Sequence, residues 1–219
     1  GELIFRLSEM YWGKSKYNKL LAMQQWDTAL DKWHNAGEKG KEPNIRKFAE
    51  YGESNVFRDQ ALKLYGEILK NYPTYSRKDE VLYNLGHSLY EAGKKKEGLK
   101  RYWELIKQYK GASDFTADAW LELGEHFFNA NKVVQAVKAY SQAAKSSKSR
   151  IYSFALYKLA WCDYNLGEYE SSLKKFRQVV DYAKKQKAKG KGAFGKSDRI
   201  QLRDESLADM VITYSHLDA

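Results

Sequence analysis

Apolar residues in this chain recur at three- and four-residue spacing, and no useful length of it alternates apolar with polar. That period lays one apolar stripe along a helix and argues against strands. Short polar turns interrupt the stripes. Three of them, Gly93 in YEAGKKKEG, Asn131 in FNANKVVQA and Gly167 in YNLGEYESS, stand 38 and then 36 residues apart. Counted from each turn, the same kind of residue returns at the same offset. Eleven before come Leu82, Trp120 and Leu156; seven before, Gly86, Gly124 and Ala160. Five after come Gly98, Ala136 and Ser172; nine after, Tyr102, Tyr140 and Phe176.

The small slots have a physical reading. A glycine inside a helix costs about 1 kcal/mol relative to alanine, so its return at one register needs a compensating gain. Close approach of two antiparallel helices provides it, one helix presenting a notch to the other's bulky side chain. The pattern predicts an irregular N-terminal helix pair over 1–41. Helix pairs follow over about 42–76, 77–113, 114–149 and 150–182. A basic Gly/Lys loop spans 183–197, and 198–219 is the first helix of a truncated further repeat. Pro43 marks a helix start and Pro73 a helix end. The chain begins without Met and its last helix lacks a partner, so it reads as a piece of a longer protein, with self-association through that unpaired helix as an expectation.

The slots resemble the tetratricopeptide repeat family, whose signature runs W-x2-L-G-x2-Y, then A-x3-F, A and P. Trp120, Leu123, Gly124, Phe127, Ala136, Tyr140 and Ala143 fall on it; Leu82, Leu85, Gly86, Leu89, Gly98 and Tyr102 match in the preceding unit, which has Lys110 where the signature closes on proline. In style, phrases such as YGEILKNYPTYSRKDEVLYNLGHSLYEAG are similar to bacterial cell-envelope members that accompany the Tol–Pal system or outer-membrane protein assembly. The resemblance implies an all-α, right-handed superhelical solenoid of antiparallel helix pairs with the first helices lining a concave face. It implies protein binding without catalysis, in the periplasm or at the envelope; a cytoplasmic setting is the alternative.

With the core slots assigned, the other face of each first helix can be read off. It carries Tyr83, His87 and Tyr90, then Leu121, Glu125 and Phe128, then Phe154, Tyr157, Trp161 and Tyr164. Large aromatic side chains with polar tips anchor partner segments, so these ten residues form the expected groove for a peptide or helix of a protein partner. The Lys, Arg and Asn clamp by which some family members hold a C-terminal carboxylate is missing from these positions.

Composition alters this picture little. Lys plus Arg is 38 against 28 Asp plus Glu, a net charge of +10, which favours an acidic partner and makes RNA binding the alternative function. The lysines gather at turns and in the 184–196 segment, not as a stripe among aromatics, which argues against nucleic acid. GKGAFGKS at 190–197 matches a phosphate-binding loop, but it follows a helix running into lysines where a buried strand is required. The four histidines lack metal-ligand spacing, and Cys162 has no histidine close in sequence. No catalytic residue, cofactor, metal or small-molecule substrate is expected, and no apolar run is long enough to span a bilayer.

Overall fold

The computed structural model describes residues 1–188, Lys187 without its side chain, and 202–217. Among these residues the protein is all helical, as the periodicity predicts, and holds no strand. The helices are α1 (Glu2–Asn35), α2 (Ala49–Asn71), α3 (Lys78–Glu91), α4 (Lys95–Tyr109), α5 (Phe115–Asn129), α6 (Val133–Ala143), α7 (Tyr152–Asn165), α8 (Tyr169–Ala188) and α9 (Arg203–Tyr214), with a 3-10 turn at Ile45–Lys47. The chain forms two compact units that divide within α4, residues 1–101 and residues 102 onward.

In the N-terminal unit the structure departs from the expected pairs. Residues 1–41 hold one 34-residue helix where an irregular pair was expected, and 42–76 hold one long helix instead of a second pair. Gly13 and Gly52 lie inside or near the first turn of these helices, with open space around their α-carbons. They weaken the helix without ending it, because packing of the partner helix outweighs the propensity lost. α1 and α2 instead pair with each other. At their crossing Ser15 Oγ donates to the Ser54 carbonyl and Ser54 Oγ to the Ser15 carbonyl, both at 2.8 Å. Small side chains allow this approach, and the reciprocal bonds satisfy both buried hydroxyls. Pro43 does not start a helix: its carbonyl accepts from Trp26 Nε1 at 3.0 Å, and Asn44 caps the 3-10 turn. Pro73 follows the end of α2 as predicted.

The core of this unit gathers Phe5, Ala61, Tyr65, Ile68, Val81, Leu85 and Leu89. The Tyr65 hydroxyl donates to Glu9, which also accepts from Asn84 Nδ2 at 2.9 Å. α3 and α4 meet backbone to backbone. A Cβ on Gly98 would lie 2.6 Å from the Gly86 carbonyl oxygen and 3.0 Å from the Tyr90 nitrogen, so the two small slots of one repeat face each other.

The C-terminal unit shows the same construction. A Cβ on Gly124 would stand 2.4 Å from Tyr140 Cδ1 and Cε1; the glycine of α5 is the notch for the tyrosine of α6. The aromatic slots Tyr65, Tyr102, Tyr140 and Phe176 are all fully buried, each worth a few kcal/mol of apolar transfer. The three anchoring turns share one geometry: Gly93, Asn131 and Gly167 have φ of 81°, 56° and 78°. At each, the following N–H reaches back to close the helix, Lys94 to Leu89, Lys132 to Phe127 and Glu168 to Asp163, at 2.8–2.9 Å.

The helix α8 runs to Ala188, so residues 183–188 are helical where a loop was expected; GKGAFGKS lies outside the described residues. α9 packs on α8 and buries Ser206 and Thr213, with Leu202 beneath its start.

Candidate protein-interaction face

In the C-terminal unit the outward residues of α5 and α7 converge on one lysine. Lys158 is the only basic residue of α7. Its Nζ lies 2.9 Å from Glu125 Oε2, while Glu125 Oε1 accepts the Tyr140 hydroxyl at 2.6 Å. The same ammonium sits 5.6 Å from the Phe128 ring centre and 5.3 Å from that of Phe154, within cation–π range. Thus α5, α6 and α7 are joined by a Tyr140–Glu125–Lys158 chain bordered by two rings. Burial, and after it the Glu125 carboxylate, push the Tyr140 phenol well above its ordinary value. It stays protonated and donates.

Leu121, Phe128, Phe154 and Tyr157 are half-buried and pack on the core around Tyr140, Leu156, Leu159 and Val179. Part of each remains at the surface. In the structure Leu121, Phe128 and Phe154 pack on one core cluster, and Lys158 stands between Glu125, Phe128 and Phe154. The expected face leaves out Lys158 because the outward register of α7 is read from its aromatic residues alone.

The remaining three residues of α7 have a different neighbour. Trp161 Nε1 donates to Asp209 of α9 at 3.2 Å. Burial, with the Asp209 carboxylate adding to it, raises the Tyr157 phenol. The Tyr164 hydroxyl is 2.9 Å from Nε2 of His216, just past the end of α9, and Tyr169 stacks on the same imidazole at 5.0 Å. The end of the expected groove is thus in contact with α9 and the residue just past it.

In the N-terminal unit, α3 supplies Tyr83, His87 and Tyr90, all half-buried. His87 meets the Trp12 ring edge-on at 5.9 Å and stacks with Tyr83 at 6.3 Å, and Lys95 Nζ lies 5.5 Å from the Tyr90 ring centre.

Two further groups of the C-terminal unit belong to its packing. Cys162 is fully buried and desolvation pushes its thiol up to about 12, as expected of a small core hydrophobe. Asp118 is buried, paired with Arg150 at 3.1 Å, yet desolvation outweighs that guanidinium and raises its carboxyl. Among the described residues no group of His, Cys, Asp and Glu could hold a metal ion, and no helix is long and apolar enough to cross a membrane.

Comparison with known proteins bears on this architecture. No curated protein matches the sequence. Among solved structures, the nearly identical TPR-like repeats of a Podosopora anserina chain assigned to the kinesin light chains align at a TM-score of 0.52 and 13% identity, over 75% of this chain and 80% of that one. MamA aligns at 0.47 and 17%, over 77% and 94%. The first likeness shows the fold alone. Family models for the tetratricopeptide repeat match residues 83–151 and 154–185. These two segments are tetratricopeptide repeats, and repeats of this family imply a protein–protein interaction scaffold.

Proposed function

We propose that the chain is a non-catalytic scaffold that seats a segment of a protein partner on the outward face of its first helices. The observation that carries this reading is the set of half-buried apolar side chains, Leu121, Phe128 and Phe154, around the Glu125–Lys158 pair. Packed from below and uncovered above, such rings anchor a partner without a large ordering cost. The ion pair is already closed, so charge selection falls to the wider surface, whose excess of +10 favours an acidic segment and raises its association rate. A bacterial cell-envelope assembly is the setting that goes with this proposal; it rests on the sequence resemblance, and fractionation of tagged protein tests it.

A pull-down with the full chain tests the face. A partner held by wild type should lose at least about 2 kcal/mol of affinity in folded Phe128→Ala/Phe154→Ala, as hot-spot aromatics do. Unchanged capture would reject the face. Capture that ignores the mutation and vanishes at high salt would transfer the function to the basic surface.

A further inference from the structure

The outer side of α1 carries an uncovered apolar row. Leu3, Leu7, Met10, Tyr17 and Leu20 are each between 39% and 80% exposed. Their separations of three, four and seven residues place them on one side of the helix. Phe5, Ser15 and Ala22, on the other side, are the residues buried in the unit. Single apolar residues at a surface are ordinary, but a contiguous row marks an interaction site.

Gly13 lies inside this row, three residues after Met10 and four before Tyr17. A Cβ on Gly98 would meet the Gly86 backbone, and one on Gly124 the Tyr140 ring; a Cβ on Gly13 would meet nothing within 4 Å. The helix propensity given up at Gly13 is therefore not offset by any close approach inside the chain. The row is also nearly symmetric about this glycine, since Leu7 and Leu20 stand six and seven residues from it. A two-fold axis beside Gly13 lays the row on its own image, with Met10 against Tyr17 of the second copy and Leu7 against its Leu20. The two lysines next to Gly13 do not obstruct this. Lys14 Nζ lies 4.4 Å from the Phe57 ring centre and Lys16 Nζ 5.8 Å from that of Trp12, so rings of their own unit hold both ammonium groups.

We propose that α1 is a homodimer interface, in which two copies of this chain pair their first helices antiparallel across Gly13. A two-fold interface uses the same patch on both copies and must be its own complement, and a row symmetric about a notch meets that condition. Antiparallel helices also oppose their dipoles favourably. Covering the row buries on the order of 500 Å² per copy, about 1,000 Å² in all, at the low end for a specific interface. The dimer is accordingly a weak one, with Kd of about 10–100 µM.

Sedimentation velocity of the full chain from about 1 to 300 µM brackets that Kd and tests the proposal. A monomer–dimer equilibrium is expected, strengthened by added salt, which screens the like charge of two copies at +10 each. Met10→Asp/Tyr17→Asp changes two exposed side chains; it should stay monomeric throughout and keep the wild-type melting curve in dilute solution. Gly13→Ala should weaken the dimer about tenfold without destabilising the single chain. Mixed Met10→Cys and Tyr17→Cys chains should form disulfide dimers faster than either alone, because Cys162 is buried and only the mixture sets two thiols opposite each other. A wild type that is monomeric at every concentration overturns the proposal. So does a dimer that survives Met10→Asp/Tyr17→Asp and is lost in Val211→Asp, which would place the contact on the exposed side of α9. Equal cross-linking rates in the three cysteine samples overturn the antiparallel register.

Discussion

Alanine at position 124 would add a methyl group where Tyr140 already stands. Its Cβ would lie 2.4 Å from two ring carbons and 3.0 Å from a third, so the ring must retreat by about 1 Å to reach ordinary contact. It has nowhere to go: Tyr140 is fully buried, and its hydroxyl is held at 2.6 Å by Glu125, itself held by Lys158. Overpacking costs about 1–3 kcal/mol, and loosening a hydrogen bond to a carboxylate adds about 1 kcal/mol or more. The better helix propensity of alanine returns about 1 kcal/mol. The net expectation for Gly124→Ala is a loss of about 2 kcal/mol, read by urea denaturation with far-UV circular dichroism. Gly13→Ala is the matched control, exposed in α1 with nothing within 4 Å of the added Cβ; it should gain about 1 kcal/mol. Opposite signs for one chemical change separate packing from propensity. Equal or greater stability of Gly124→Ala would refute the notch, and a double-mutant cycle with Tyr140→Leu should show coupling of about 1 kcal/mol.

Three more expectations follow from named contacts. Asn131 and Gly167 occupy the same left-handed turn position, so Asn131→Gly should stabilise by about 0.5 kcal/mol and Gly167→Ala destabilise by about 1 kcal/mol; equal effects of one sign in denaturant melts would contradict the turn assignment. Trp161→Ala removes the hydrogen bond to Asp209, and amide exchange across residues 203–214 should rise about tenfold while α5 stays protected; unchanged exchange would mean that α9 is held by α8 alone. Desolvation and the nearby Glu122 and Asp114 raise the Asp118 carboxyl above 3.8, Arg150 only partly opposing them. A raised folded value gives stability that is full below the unfolded pKa and lost as pH rises through the folded one. The stability of wild type relative to Asp118→Asn should therefore fall between acid and neutral pH, and a difference that grows over that range would mean the Arg150 pair dominates.

The helices of the repeats were legible because each position's role is set by its near neighbours. A stripe at helical spacing must be buried, a glycine at a fixed offset must let a neighbouring helix or side chain come close, and a turn residue must tolerate positive φ. Gly124 against Tyr140 and the shared turn geometry of Gly93, Asn131 and Gly167 bear this out. The N-terminal misreading has the same root: Gly13 and the YGESN stretch carry turn-like chemistry, and local signals cannot tell a weakened helix from an ended one when a partner helix supplies the difference.

What the sequence by itself determined is the all-helical repeat, its register, and the aromatic and small residues that fill it, since these depend on periodicity within some forty residues. Tertiary structure alone decided that α1 pairs with α2, that Lys158 closes on Glu125 between two phenylalanines, and that α9 meets Trp161 and Tyr164. Each of those joins residues from separate elements, and which outward side chains meet is set by how the helices pack, a relation that no local period encodes.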